Sequence, residues 1–135
     1  MSYCVGLKLD CGLVFMSDTL TNGGLDNISC YPKTFTWGVN GERQIFLSTA
    51  GNLATSQAVI STLTEQNENE SEESPSILRV PSMFQVAQTV SKTLAEVIGV
   101  TAKGQMVADS KFSATFILGG PVSYTHLTLP TTTIV

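Results

Sequence analysis

Ser2-Tyr3-Cys4-Val5-Gly6-Leu7-Lys8-Leu9-Asp10-Cys11-Gly12-Leu13-Val14-Phe15-Met16-Ser17-Asp18 decides the architecture of this chain. Two apolar runs, Tyr3 to Leu9 and Leu13 to Ser17, flank Asp10-Cys11-Gly12, where glycine is available for a positive φ. That pattern predicts a β-hairpin. Antiparallel pairing then returns Asp18 beside the start of the chain.

Outward from the hairpin, 18–32 is rich in Thr, Asn, Gly and Ser and includes Asn22-Gly23-Gly24. It reads as a long ordered loop, a place where function often sits. Thr34 to Val39 alternates Phe35, Trp37 and Val39 on one face, turns at Asn40-Gly41, and continues as a strand from Gln44 to Ser48. The period then changes. Asn52 can cap a helix whose apolar face includes Leu53, Ala58, Val59, Ile60 and Leu63. Gln66 to Ser76 is acidic and free of large apolar residues, and is expected as a mobile surface loop. Ser82 and Gln85 form a capping box ahead of Met83, Ala87, Val90, Leu94, Val97 and Ile98 at helical spacing, with Gly99 expected to close the helix. Met83 and Phe84 are expected in the core, and Phe112 to Leu118 is a strand. Four strands, two helices and a strand in that order predict an α+β layered fold with helices on one face of a sheet.

The 135 residues suffice for one domain, and 42% hydrophobic against 13% charged residues favours a packed core. The net charge of −4 is local. Glu65, Glu68, Glu70, Glu72 and Glu73 supply five of the eleven acids, leaving six against seven bases elsewhere. No basic footprint for nucleic acid results. Cys4, Cys11 and Cys30 have no CxxC spacing, so reduced, part-buried thiols are expected, with no metal or cofactor. No leader pattern and no apolar run of about 20 residues is present, which reads as a soluble cytoplasmic protein without membrane contact.

Val122-Ser123-Tyr124-Thr125-His126-Leu127-Thr128-Leu129-Pro130-Thr131 resembles the in-frame translation of a transposon-based sequencing adapter. Residues 122–135 are therefore expected to be a non-native tail, though Thr, Val and Leu would also suit a β-strand. The one histidine, His126, lies there. Without it, neither a Ser-His-Asp nor a Cys-His site can be assembled.

The remaining amine base near neutrality is the chain's own α-amino group, with a pKa of about 7.7–8.0. Ser2 follows Met1, and removal of that methionine would place hydroxyl and amine on one residue, the nucleophile-plus-base pairing of N-terminal hydrolases. Asp18 returns beside it by the hairpin, and Lys33 begins the strand after the loop. The carboxylate would hold the lysine charged, and the lysine's field would lower the pKa of the terminal amine and hydroxyl.

Tyr3 to Thr19 resembles the opening of proteasome β subunits, and more closely the bacterial homologue Anbu (ancestral β subunit). Thr21-Asn22-Gly23-Gly24-Leu25-Asp26-Asn27-Ile28-Ser29, Ala50-Gly51-Asn52-Leu53-Ala54-Thr55-Ser56-Gln57 and Phe116-Ile117-Leu118-Gly119-Gly120 continue the likeness over residues 1–120. The resemblance implies an N-terminal-nucleophile hydrolase αββα sandwich, threonine-peptidase-type hydrolysis of peptides or proteins, and homo-oligomeric rings or open rings. It implies a nucleophile at Ser2, an orienting acid at Asp18, the lysine at Lys33, and oxyanion-binding backbone N–H groups along Ser48, Thr49, Ala50 and Gly51. Three positions depart from the pattern: Ser2 for the more usual Thr, Leu20 where Arg is common, and Pro32, which leaves the pose of Lys33 open. Family members are about twice this length, so residues 1–121 are expected to be an incomplete domain, inactive by itself. A non-catalytic ring-forming subunit, or an amide hydrolase acting on small molecules, are the alternatives.

Overall fold

The computed structural model describes residues 2–22, 28–38, 43–73, 76–102, 112–123, 126–128 and 131–134. β1 (Cys4–Leu9) and β2 (Gly12–Ser17) form the expected hairpin, in register from Cys4↔Ser17 to Leu9↔Gly12. The segment expected as a loop carries a second small hairpin, β3 (Leu20–Asn22) and β4 (Ile28–Cys30). Thr21 and Ile28 suit pleated backbone, and the Tyr31 N–H donates to Thr19 O at 2.8 Å to lengthen the ladder. Gly23-Gly24 and the Asn40-Gly41 turn lie outside the described residues.

β5 (Thr34–Gly38) pairs with β6 (Gln44–Gly51), which runs past Ser48 because β7 (Ala114–Ser123) pairs along its far side as far as Gly51↔Ala114. β8 (His126–Thr128) and β9 (Thr131–Ile134) both pair with β7, completing a five-stranded sheet. The described residues of the segment 122–135, namely 122–123, 126–128 and 131–134, thus run as strands. Its Thr-rich composition suits pleated backbone and β7 offers a free edge, whatever the origin of the sequence.

Two helices cover one face. α1 (Leu53–Glu68) starts at Asn52, whose Oδ1 accepts from the Thr55 N–H at 3.0 Å. It continues beyond Leu63 into the acidic stretch, since Glu and Gln are good helix formers. Asn67 Oδ1 then accepts from Ser76 Oγ at 2.8 Å and the Ile77 N–H at 3.2 Å, tying down the far end. Ser76 and Ile77 are buried, so the expected surface loop is shorter than Gln66 to Ser76. α2 (Met83–Ala102) is capped by Ser82, which accepts from the Gln85 N–H at 3.3 Å. It passes through Gly99 instead of ending there. Met83 is buried, but Phe84 is exposed on the solvent side.

Alternation along the strands sorts the layers. Ile45 and Leu47 of β6 and Phe116 and Leu118 of β7 face the helices, packing with Val59 and Leu63 of α1 and Val86, Val90 and Leu94 of α2. Burial of each such side chain stabilises the fold by about 1.5–3 kcal/mol. On the opposite face Phe46 stacks on Phe15 of the β1–β2 ribbon at 5.3 Å between ring centroids. Helices, sheet and ribbon make three layers. The ribbon's outer face, with Leu7, Leu9, Val14 and Met16, is exposed. Cys4 is partly buried, while Cys11 in the turn and Cys30 on β4 are exposed, against the expectation of part-buried thiols throughout. No helix among the described residues is long and apolar enough to cross a membrane.

Candidate active site

The β1–β2 pairing continues one step beyond the strands. The Asp18 N–H donates to Tyr3 O at 3.0 Å, and the Tyr3 N–H donates to Asp18 Oδ1 at 2.8 Å. This reciprocal clasp places Asp18 opposite the segment that begins at Ser2. Lys33, immediately before β5, reaches the same carboxylate: its Nζ lies 2.9 Å from Oδ1 and 2.8 Å from Oδ2. The third contact is to Leu20 O at 2.7 Å. An ammonium has three protons, and here three acceptors meet it. The lysine side chain is 7% exposed and the aspartate's 33%. The Lys33 ammonium, and after it the Tyr3 N–H, hold the Asp18 carboxyl below the usual carboxylate range.

Leu20 explains how an aliphatic residue serves where the family resemblance leads one to expect arginine. Its side chain is exposed and its backbone carbonyl makes the contact, so side-chain identity is immaterial to that bond. Pro32 removes a donor from the strand start, yet Lys33 is held by its own backbone: the Thr49 N–H donates to Lys33 O at 2.7 Å.

That last bond sorts the segment Ser48 to Gly51. Successive N–H groups along a strand alternate sides. The Thr49 N–H points toward β5 and is occupied by Lys33 O. Ser48 and Ala50 point toward their β7 partners, as does Asn52, whose N–H donates to Ser113 O at 3.1 Å. Gly51 shares the direction of Thr49 but lies past the end of β5. Of the four expected oxyanion donors, alternation turns Gly51 alone toward the lysine side without a β5 residue opposite. Gly51 has φ +107°, and a Cβ there would sit 2.7 Å from Ser113 O, so glycine is required.

Ser2, Lys33 and Gly51 line one cavity of about 520 Å³, whose other wall includes Phe35, Leu53 and Ile60. The structure therefore brings Ser2, Asp18, Lys33 and Gly51 together, and turns the Ser48 hydroxyl away into a contact with Thr34 Oγ1 at 2.9 Å. Cys4, not singled out from sequence, rests its Sγ 3.4 Å from Thr49 O. Burial pushes its thiol pKa up, the Asp18 charge adds to this, and Lys33 opposes it.

No family model matches the chain, and no curated protein does. Solved structures do. The chain is 36% identical to an Anbu protein from Pseudomonas aeruginosa, solved as a helical assembly of the Anbu complex, over 96% of this chain and 52% of that one, with a TM-score of 0.82. It is 32% identical to Anbu (ancestral β-subunit) from Yersinia bercovieri over 98% of this chain and 53% of that one, with a TM-score of 0.85. It is likewise 32% identical to Anbu from Hyphomicrobium sp. strain MC1, over 98% and 53%, with a TM-score of 0.78. The chain spans about half the length of each.

Proposed function

Because the chain belongs to the Anbu (ancestral β-subunit) family and corresponds to its N-terminal half, we propose that the intact protein is an N-terminal-nucleophile peptidase. In a chain processed to begin at Ser2, the α-amine takes the proton from Ser2 Oγ as the oxygen attacks the peptide carbonyl. The negative charge that develops on the carbonyl oxygen is met by the Gly51 N–H. The protonated amine then returns its proton to the leaving nitrogen, and water releases the acyl group from Ser2 by the same sequence in reverse roles.

One observation carries this reading: a buried lysine, fully engaged by Asp18 and Leu20 O, shares a cavity with Ser2. With its three protons directed at those acceptors, Lys33 acts as a fixed positive charge and does not hand a proton to the substrate. Its field favours the neutral amine and the ionised hydroxyl, so activity rises with pH through an amine pKa at or below about 8.

The exposed apolar outer face of the β1–β2 ribbon supports an αββα sandwich in the whole protein, with the second half supplying the layer that covers Leu7, Leu9, Val14 and Met16. The helical assembly of the Pseudomonas aeruginosa relative supports a homo-oligomer, ring or open ring. Residues 122–135 would stand in place of native sequence, and reading the gene's uninterrupted frame beyond Gly120 tests that.

The test of the activity uses the full-length protein. Mass spectrometry of its N-terminus should show Met1 removed, and Ser2→Ala should lower peptide hydrolysis on the order of a thousandfold or more. A retained Met1, or no hydrolysis by the processed protein, would replace this reading with the ring-forming, non-catalytic one, and hydrolysis untouched by the substitution would remove Ser2 as the nucleophile.

A further inference from the structure

Three hydroxyls join the ribbon to the five-stranded sheet. Thr34 Oγ1 is 2.9 Å from Ser17 Oγ and 2.9 Å from Ser48 Oγ. Ser17 ends β2 in the ribbon, whereas Thr34 begins β5 and is the register partner of Ser48 on β6. The cluster therefore crosses from one sheet to the other. A threonine hydroxyl has one proton, so in donating to Ser17 it accepts from Ser48. The order of donors is Ser48 to Thr34 to Ser17.

Each of these residues is adjacent in sequence to a group of the candidate site. Ser17 precedes Asp18, Thr34 follows Lys33, and Ser48 precedes Thr49, whose N–H holds Lys33 O and whose carbonyl meets Cys4. We propose that Ser17, Thr34 and Ser48 form a positioning staple that fixes the ribbon on the sheet, and so sets Ser2 and Asp18 against Lys33 and the Gly51 N–H.

The neighbouring contacts supply less of that registry: Cys4 Sγ to Thr49 O also joins ribbon to sheet, but a thiol is a weak donor. The Phe15–Phe46 stack is apolar and weakly directional, so it fixes the spacing of the layers and permits sliding. The Asp18–Lys33 pair ends on a four-carbon stem that follows its partner over an ångström or more. The staple has no such slack. A single torsion, χ1, places each of its oxygens, Thr34 is β-branched and stiff at χ1, and hydrogen bonds weaken steeply as their geometry degrades. Ser48 is almost wholly buried, so its hydroxyl has no ready exchange partner in water.

The consequence for rate rests on the peptidase reading; the consequence for the ion pair does not. The experiment takes the full-length protein with Thr34→Val, which keeps the shape and removes the hydroxyl, and Thr34→Ser, which keeps the hydroxyl. Two quantities are read: kcat and KM for a peptide substrate, and the acid titration of the Asp18 carboxyl-carbon NMR signal. Thr34→Val should lower kcat ten- to a hundredfold with KM within about twofold, the penalty of a misplaced nucleophile. It should also move the Asp18 inflection up toward the ordinary carboxylate range. Thr34→Ser should restore both, which a role in packing alone would not. A Thr34→Val protein with wild-type kcat and wild-type Asp18 titration would overturn the staple, as would a Thr34→Ser protein as impaired as Thr34→Val. If Ser2→Ala leaves hydrolysis intact, the peptidase reading falls and the titration alone decides the staple.

Discussion

Lys33 shows at the level of single residues how backbone and side chain divide a site between them. Its partners are one carboxylate and one carbonyl. The carboxylate was legible in the sequence, because the pairing arithmetic of a tight hairpin returns Asp18 to the chain start. The carbonyl of Leu20 was not, and the family likeness narrowed the oxyanion donor only to Ser48 through Gly51, because every residue carries these backbone groups and only geometry selects one. Asp18→Asn isolates the charge while leaving an oxygen to accept from the Tyr3 N–H. The folded-state pKa of Asp18 is lowered, so the pair contributes stability above the unfolded carboxylate value of about 3.9 and loses it as pH falls through the folded value. Melting curves of wild type and Asp18→Asn should therefore differ at neutral pH and converge in acid below about pH 4. Curves that stay equally far apart down to pH 2 would refute the linkage.

Among the elements, β6 contributes most to the site, because one strand serves three neighbours. Its odd positions Ile45 and Leu47 enter the core, and Ser48 meets the ribbon. Gly51 carries a donor past the end of β5. Two glycines then predict opposite outcomes for the same substitution. Gly51→Ala puts a Cβ 2.7 Å from Ser113 O at φ +107°, and should destabilise by about 1–3 kcal/mol while displacing the N–H. Gly99 lies inside α2 with nothing near a Cβ, and Gly99→Ala should stabilise by about 0.5–1 kcal/mol. Denaturant midpoints measure both, and a Gly51→Ala midpoint at or above wild type would contradict the geometry. The Gly99 reading illustrates a limit of local signals. Glycine commonly ends helices, but here residues beyond it stay helical at a tolerable local cost.

On the scale of the whole molecule, the ribbon presents Leu7, Leu9, Val14 and Met16 outward, 45–60% exposed, while its inner face meets the sheet. A two-stranded ribbon is marginal unless a face is covered. Polar replacement, Leu7→Gln with Met16→Gln, should act with opposite sign in two settings. It should reduce aggregation and hydrophobic-dye binding of the 135-residue chain and, on the sandwich proposed above, should lower the melting temperature of the full-length protein by weakening the cover over that face. An unchanged full-length melting temperature would mean the face is not covered. Period and turn chemistry in the sequence by themselves determined the first hairpin, both capped helices and the α+β order, because these depend on residues close along the chain. The proximity of Ser2, Asp18 and Lys33 followed from the same local arithmetic joined to a family likeness. Only the tertiary structure decided which carbonyl completes the lysine, which N–H faces the cavity, and how three hydroxyls join the ribbon to the sheet. Those contacts connect segments far apart in sequence through backbone groups and short side chains, and no spacing along the chain encodes them.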